Sequence, residues 1–281
     1  MIQQKLPYIP IYQVDAFTTR AFGGNPAAVC LLEEFPGDNL MREIAAEMNL
    51  SETAFVVPVK AIFGETSHFA IRWFTPEVEV PLCGHATLAS SLVLFSEIGV
   101  PDKTIIFESK SGKLLARFEK GQITLDFPLN PPKEVDPPKD ILTSLNIKDC
   151  LKCAISEGAE MLLLHLADEE TVRTLKPNFP LMLKADKSGL NFQGVIVTAQ
   201  ARDYDFISRY FGPWEGLNED PVTGSAHTVL APYWEQILNK ETFHAFQASR
   251  RGGELKLKIK ENDRVEITGG GKIVIKGKLF L

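Results

Sequence analysis

The 281-residue sequence predicts an α/β protein made of two similar lobes. Three observations predict this fold class. Segments with strand and helix periodicity alternate along the chain, the length suits two domains, and one sequence pattern occurs twice. Apolar residues make up 44% and charged residues 23%, a composition that allows a full hydrophobic core.

The first half of the chain predicts strands, a turn and a helix. "DNLMREIAAEMN" (38–49) has apolar residues at helical spacing, with Asp38 as the expected N-cap. The strand-like segments are "PIYQVDAF" (10–17), "PAAVCLLE" (26–33), "ETAFVVPV" (52–59) and "SHFAIRWF" (67–74), and "RAFGGN" forms a turn between the first two.

Further along, residues 103–127 predict a meander of short strands with turns at Gly112 and Gly121. Five prolines in residues 128–140 exclude a central strand or a helix interior and indicate a surface connection. "RRGGELKLKIK" (250–260) alternates Lys with Leu and Ile, as a strand with one solvated face does. Residues 265–281 predict two strands around a glycine turn.

The repeated pattern links "RWFTPEVEVPLCGHA" (72–86) with "RYFGPWEGLNEDPVTGSA" (209–226). Each segment leads into a long apolar helix, which is expected to be enclosed by other structure. If two lobes face each other, their helix N-termini offer unpaired N–H groups and partial positive charge to an anion. Glu219 and Asp220 precede the second helix, either as plain cap residues or as acid–base groups of a cleft.

Charge and hydropathy exclude several classes of function. The net charge of −6 comes with no clustered basic face, so nucleic-acid binding is not expected. No apolar run has the length of a membrane span, and the N-terminus lacks the pattern of a signal peptide. The expected location is therefore the cytoplasm.

The four cysteines do not predict disulfides in a chain of this kind. Cys150 and Cys153 have metal or redox spacing in "CLKC", but there is no second such pair and the histidines are scattered. We interpret both as ordinary thiols. Cys83 differs because it directly precedes Gly84 at a predicted helix start.

Five motifs in order give the chain a resemblance over nearly its whole length: "DAFTTRAFGGNPAAV", "NLSETAFV", "RWFTPEVEVPLCGHATLA", "RYFGPWEGLNEDPVTGSAH" and "RGGEL…ITGGG". The sequence resembles the PhzF family of phenazine-biosynthesis-like isomerases, especially its animal members, and more distantly the diaminopimelate epimerase fold. The resemblance implies two α/β lobes, each a curved mixed sheet around a central helix, with the active site between them. We assign residues 1–115 to the first lobe and 116–271 to the second; by resemblance, 272–281 return to the first.

The resemblance also implies the site. Glu52 matches the catalytic glutamate, Asp220 and His85 match the acidic residue and the histidine of the family motifs, and Gly84, Gly224 and Ser225 match the anion-holding helix starts. Relatives look like homodimers. The expected activity is a proton shift on a small carboxylate-bearing substrate without metal or other cofactor.

Two alternatives remain open. A cofactor-free racemase would use one thiol at each helix start, but the counterpart of Cys83 falls near Thr223, which is not a cysteine. A non-catalytic binding or scaffold protein could keep the same site by descent. Incubation with carbon acids in deuterated water distinguishes the three possibilities: exchange with isomerisation, exchange with inversion, or no exchange.

Overall fold

The computed structural model, which describes residues 8–281, has the mixed α/β fold that the sequence predicted. The strands are β1 (Ile9–Ala16), β2 (Asn25–Leu31), β3 (Glu52–Pro58), β4 (His68–Phe74), β5 (Glu79–Val80), β6 (Thr104–Ser109), β7 (Gly112–Glu119), β8 (Gln122–Pro128), β9 (Lys133–Glu134), β10 (Lys152–Ser156), β11 (Met161–His165), β12 (Gly194–Gln200), β13 (Phe206–Gly212), β14 (Leu217–Asp220), β15 (Thr242–Gln247), β16 (Gly253–Lys260), β17 (Arg264–Gly269) and β18 (Gly271–Leu279). The helices are α1 (Asp38–Met48), α2 (Gly84–Val93), α3 (Lys139–Ser144), α4 (Glu169–Thr174), α5 (Phe179–Met182) and α6 (Gly224–Leu238). A π-helical turn, Leu94–Ile98, extends α2. The sequence-based statement about the N-terminus includes residues 1–7, which lie outside the described part.

The chain divides into two compact units. The first runs to Asp126 and includes Gly269–Leu281, and the second is Phe127–Thr268. The sequence-based boundary was residue 115, but β7 pairs with both β6 and β8 in one antiparallel meander, so the first unit extends further along the chain. β18 pairs with β1 in the first unit, from Ile9 opposite Leu279 to Ala16 opposite Gly271.

The two units have the same sheet topology. In the first, β2 is antiparallel to β1 and parallel to β3, and β4 is antiparallel to β3 and β5 and parallel to β6. The second unit repeats these relations. There β11 is antiparallel to β10 and parallel to β12, and β13 is antiparallel to β12 and β14 and parallel to β15. α2 and α6 occupy equivalent places between the fifth and sixth strands of the two sets. The repeated sequence pattern therefore reflects two similar α/β units.

Helix α2 is buried on nearly all sides, as its uniformly apolar sequence predicted. It packs on β1, β2 and β3, and β18 passes close to it. The "TGGG" segment explains that close approach: a Cβ atom on Gly269 would lie 2.4 Å from the Phe17 ring, and one on Gly271 would lie 2.8 Å from Leu92. These positions require glycine because a side chain would collide with the core around α2.

Helix α6 continues through Pro232, a residue that normally interrupts a helix. Proline has no N–H to donate to the carbonyl oxygen of Thr228, four residues earlier. The backbone N–H of Asn130 donates to that oxygen instead at 3.1 Å, and the Asn130 amide Nδ2 donates to the Thr228 hydroxyl at 2.9 Å. A residue from a distant part of the second unit thus satisfies the group that Pro232 leaves open.

One local prediction needs correction. Asp38 is the first residue of α1 and Gly37 is the N-cap, because the Asp38 carboxylate lies 2.9 Å from Arg72 and does not cap the helix. The proline-rich connection is interrupted by the short exposed strand β9, which contains no proline and pairs only with β10 among the described strands. The prediction that this segment forms no central strand therefore stands. The predicted alternation in β16 is confirmed by its buried and exposed positions.

Candidate active site

The segment Cys83–Gly84–His85 forms the start of α2. Cys83 is the N-cap residue, with extended backbone angles, and no side chain of this residue caps the helix. The first N–H groups of a helix have no partner within the helix and carry partial positive charge. A helix start that lacks such a cap favours the binding of an anion.

Glu52 and His85 are brought together within the first unit. Glu52 begins β3, and its Oε2 lies 3.3 Å from Nε2 of the buried His85 ring. This contact is not aligned as a hydrogen bond, so the buried Oε2 accepts none from the residues described. Burial is the main effect on the pKa of Glu52 and raises it, while hydrogen bonds from Ser51 and Cys83 act in the opposite direction. A raised pKa suits a carboxyl group that must accept and release a proton.

Three more polar side chains lie near this pair: Cys83, which the sequence had marked at the helix start, and Ser51 and Asn25, which were not predicted. The Ser51 hydroxyl lies 3.4 Å from His85 Nε2 and 3.4 Å from the side-chain oxygen of the buried Asn25. On the other side of the ring, Cys83 Sγ lies 3.5 Å from His85 Nδ1. Ser51 directly precedes Glu52 in "SETAF", which is the local signal that could have identified it. Both ring nitrogens of His85 therefore face polar atoms that can fix its orientation.

Asp220, the predicted acidic site residue of the second unit, ends β14 and is buried. Its Oδ2 accepts a hydrogen bond from the Thr223 hydroxyl at 2.5 Å. Thr223 is the N-cap residue of α6, but its side chain does not cap the helix because the hydroxyl is directed to Asp220. Gly224 and Ser225 then form the first turn, with Gly224 buried and Ser225 exposed. The start of α6 is therefore organised much like the start of α2.

Glu219 and Asp220 have different roles although they are adjacent. The Glu219 carboxylate accepts two hydrogen bonds from the Arg209 guanidinium, at 2.7 and 3.0 Å. Arg72 and Glu79 form the same bidentate pair in the first unit, at 2.8 and 2.6 Å. Glu219 is therefore part of a repeated structural ion pair, and Asp220 is the carboxylate at the helix start.

Gln247 holds the segment that leads into α6. Its side-chain oxygen accepts from the backbone N–H of Thr223 at 2.8 Å, and its Nε2 donates to the Asp220 carbonyl at 2.8 Å and to the Thr223 hydroxyl at 3.1 Å. The side chain is fully buried. A lone glutamine at the end of a strand gives no sequence signal for this role, since all of its partners lie more than twenty residues away along the chain.

His227 lies in the first turn of α6 and is also fully buried. Its Nδ1 lies 2.8 Å from the carbonyl oxygen of Thr223, and its Nε2 has no hydrogen-bond partner among the described residues. Burial lowers the pKa of His227 to about 4, so the ring is neutral at pH 7. A neutral ring with Nδ1 protonated donates to Thr223 and stabilises the first turn of the helix.

The predicted site residues fall into two groups. Glu52, Gly84 and His85 belong to the first unit, where Glu52 and His85 are in contact. Asp220, Gly224 and Ser225 belong to the second, at the entry to α6 and in its first turn. Cys83 and Thr223 are the N-cap residues of the two helices, so the position that a second catalytic thiol would occupy is a threonine.

Two further features concern metal-ligating side chains and helices long enough to cross a membrane. In the portion of the chain that the structure describes, the Glu52 carboxylate, the Cys83 thiol and the His85 ring form the one group of three metal-ligating side chains with ligand atoms close enough to share an ion. Within residues 8–281, no helix combines the length and apolar character needed to cross a bilayer.

Comparison with known proteins identifies relatives along nearly the whole chain. The family model described as phenazine biosynthesis-like protein matches residues 14–277. The phenazine biosynthesis-like domain-containing protein of Bos taurus is 46% identical, with 96% of this chain and 99% of the relative covered. An uncharacterized isomerase of Halalkalibacterium halodurans is 44% identical, with 97% and 98% covered.

Solved structures agree with these sequence relatives. The crystal structure of a PhzF-family phenazine biosynthesis protein from Enterococcus faecalis has a TM-score of 0.90 and 42% identity, and covers 98% of this chain and 100% of that one. A hydroxyproline epimerase from Agrobacterium vitis has a TM-score of 0.61 at 12% identity, with 98% and 93% covered, and shows a likeness of fold alone. The Halalkalibacterium halodurans relative, which is named as an isomerase, supports an isomerase as the class of enzyme. With the family model, these relatives show that the chain belongs to the phenazine biosynthesis-like (PhzC–PhzF) family.

Proposed function

We propose that this protein is a cofactor-independent isomerase that moves a proton on a small carboxylate-bearing substrate, with Glu52 as the general acid and base. The observation that carries the proposal is the contact of Glu52 with His85 beside the uncapped start of α2. There a buried carboxylate oxygen lacks a hydrogen-bond donor among the described residues. Such an oxygen is an acceptor available for a substrate proton. Family membership supports the same assignment.

In the proposed reaction, the substrate carboxylate binds to the N–H groups at a helix start, with Gly84 and His85 in the first unit and Gly224 and Ser225 in the second as its anchors. The helix starts of the two units are organised alike, so each offers backbone N–H groups to an anion. Each start brings partial positive charge that stabilises negative charge as it develops on the substrate.

Glu52 then removes a proton from an activated carbon, and the electron pair is delocalised into the adjacent unsaturated or carbonyl group. The same carboxyl group returns the proton at another carbon, so the substrate keeps its formula and no oxidant or reductant is consumed. His85 orients the Glu52 carboxylate, and Asp220, held by Thr223, orients the substrate in the second unit. Acid–base groups positioned in this way contribute roughly 10²–10⁴-fold to the rate.

A two-thiol racemase is the less favoured reaction. Cys83 stands at the N-cap of α2, but Thr223 stands at the N-cap of α6 and its hydroxyl donates to Asp220. A single proton carrier such as Glu52 can move a proton between two carbons on one face of the substrate. Inversion at one carbon needs a second proton carrier on the opposite face.

The test is incubation with a panel of unsaturated and hydroxylated carboxylic acids in deuterated water, followed by proton NMR. Deuterium incorporation with migration of a double bond supports the isomerase. Incorporation with inversion at one carbon identifies a racemase. If every acid in a broad panel stays unexchanged, the chain is a binding protein that keeps the site.

The proposal extends to the setting of the enzyme. We propose a homodimer in the cytoplasm without nucleic-acid or membrane partners, in line with the family resemblance and the acidic net charge. Sedimentation velocity at two protein concentrations tests the dimer, and a single species with the mass of one chain contradicts it.

A further inference from the structure

Glu52, Cys83 and His85 bring three different ligand types to one place in the first unit. The carboxylate oxygen, the thiol sulfur and the ring nitrogen all lie within 4.8 Å of one another. Thiolate, imidazole and carboxylate are the ligands that proteins use for Zn²⁺. We infer that this cluster binds Zn²⁺ when substrate is absent and that the bound ion inhibits the enzyme.

The spacing of Cys83 and His85 fits this inference. Their Sγ and Nδ1 atoms are 3.5 Å apart. A Zn–S bond of about 2.3 Å and a Zn–N bond of about 2.0–2.1 Å, at a tetrahedral angle, place the two ligand atoms about 3.6 Å apart. An ion can therefore bridge these two side chains without a change in the start of α2.

Glu52 supplies the third ligand. Its Oε2 now faces the other ring nitrogen of His85 at 3.3 Å and accepts no hydrogen bond from the described residues. A rotation of the side chain towards Sγ brings a carboxylate oxygen to the ion. It gives up the contact with His85 and the hydrogen bonds from Ser51 and Cys83, and the bond to the ion compensates for them. The fourth position remains for water, which is the arrangement of a zinc site with three protein ligands.

The other cysteine pair is a poorer site. Cys153 is buried in an apolar cluster, and burial raises its pKa to about 12, which opposes the thiolate that a metal needs. Burial also raises the pKa of Cys150. Among the residues described, no histidine or carboxylate completes a set of three ligands around this pair. Cys150 and Cys153 therefore provide a matched control within the same chain.

Inhibition rests on the proposed function, whereas binding does not. An ion held by Glu52 occupies the lone pair that the proton shuttle uses, and it replaces the contact between Glu52 and His85. Zn²⁺ and a carbon-acid substrate then compete for the same carboxylate. The expected inhibition is relieved by a chelator, because metal binding displaces only the Cys83 thiol proton, which returns when the ion is removed.

The experiment is a titration of the metal-free full chain with Co²⁺ and then Zn²⁺. Cobalt bound to Cys83 gives a thiolate charge-transfer band in the near ultraviolet, and one equivalent of Zn²⁺ abolishes it. Cys83→Ser removes the band, and Glu52→Gln weakens Zn²⁺ binding by roughly tenfold or more. The double variant Cys150→Ser/Cys153→Ser keeps both signals. Thermal melting of each metal-free variant establishes that the variant is folded. If Cys83→Ser does not fold, Cys83→Ala replaces it in the titration.

Two results overturn the inference: no saturable binding at stoichiometric metal, or a band that survives Cys83→Ser and disappears in the Cys150→Ser/Cys153→Ser variant. Binding is measured without substrate, so its failure is separable from failure of the proposed function. A chain that isomerises a carbon acid and binds no metal refutes only the zinc site. A chain that binds Zn²⁺ and exchanges no carbon acid refutes only the isomerase.

Discussion

Gln247 and Thr223 are joined by two hydrogen bonds, one from the Thr223 backbone N–H to the glutamine oxygen and one from the glutamine nitrogen to the Thr223 hydroxyl. The same nitrogen donates to the Asp220 carbonyl. The last residue of β15 therefore sets the path of the chain between Asp220 and the start of α6. This connection makes the geometry of the second helix start depend on a residue outside the repeated motif.

Replacement of Gln247 by Leu is expected to lower the free energy of unfolding by about 1–3 kcal/mol, because buried polar groups at Thr223 and Asp220 lose their partners. Chemical denaturation measures the change. Gln200→Leu is the control, since Gln200 also ends a strand but is exposed. Equal stabilities of the two variants would show that the Gln247 hydrogen bonds contribute nothing net.

The repeated ion pairs give a second prediction. Arg209 binds Glu219 and also donates to the carbonyl oxygens of Val172 and Leu175, at 3.1 and 2.8 Å. Arg72 binds Glu79 and the exposed Asp38. Arg209→Met is expected to cost about 3–5 kcal/mol of stability, because it leaves a carboxylate and two buried carbonyls without a donor.

Arg72→Met is expected to cost less, because its carboxylate partners keep other contacts: the Lys110 ammonium also binds Glu79, and Asp38 is exposed to water. Urea denaturation of the two variants under the same conditions gives the comparison. A larger loss for Arg72→Met would contradict the order of burial. Adding Glu219→Leu to Arg209→Met is expected to recover part of the stability, since it removes the uncompensated charge.

His227 gives a prediction for pH. Its pKa is lowered to about 4 in the folded chain, compared with an ordinary value of 6.5. The unfolded chain therefore binds a proton at pH values where the folded chain does not, and stability falls as pH decreases from 6.5 to 4. This group contributes about 3 kcal/mol to the loss.

In His227→Gln this part of the pH dependence is expected to disappear, whereas His244→Gln, at a half-exposed position, keeps it. The measurement is the free energy of unfolding at several pH values between 4 and 7. A slope that is the same in wild type and His227→Gln would show that the ring is protonated in the folded protein or that the unfolded chain does not titrate there.

The fold was predictable where periodicity is long and local. The apolar stretches that became α2 and α6, and the strands with two-residue alternation, were identified from the sequence. The region from α3 to β13 received no assignment, because α4 and α5 are too short for a helical period to be recognised. Pro232 shows the limit in another way: whether the helix continues depends on Asn130, about a hundred residues away.

The site was predictable only with the family resemblance. On its own, "SETAF" is typical of a strand that begins with an exposed glutamate, and nothing local places Glu52 beside His85, thirty-three residues later. Parallel pairing of β2 with β3 and packing of α2 on both strands produce that contact. Hydrogen-bond partners such as Asn25 and Gln247 come from the same long-range packing, and sequence spacing does not encode it.

The contact between Glu52 and His85 leads to the prediction that tests the catalytic assignment. Glu52→Gln keeps the size of the side chain and one acceptor oxygen but cannot carry a proton, so turnover is expected to fall roughly 10²-fold or more while thermal stability changes little. Glu52→Asp retains the carboxyl group at a greater distance and is expected to keep measurable activity. Asp220→Asn is expected to raise KM more than it lowers kcat, because Asp220 orients the substrate in the proposed reaction and the Thr223 hydroxyl can still donate to the amide oxygen. Deuterium incorporation into an accepted carbon acid, followed by NMR for each purified variant, measures these effects.

Glu47→Gln, on the exposed face of α1, is the matched control and is expected to exchange at the wild-type rate. If Glu52→Gln exchanges as fast as Glu47→Gln, another group carries the proton and the assignment of Glu52 is wrong.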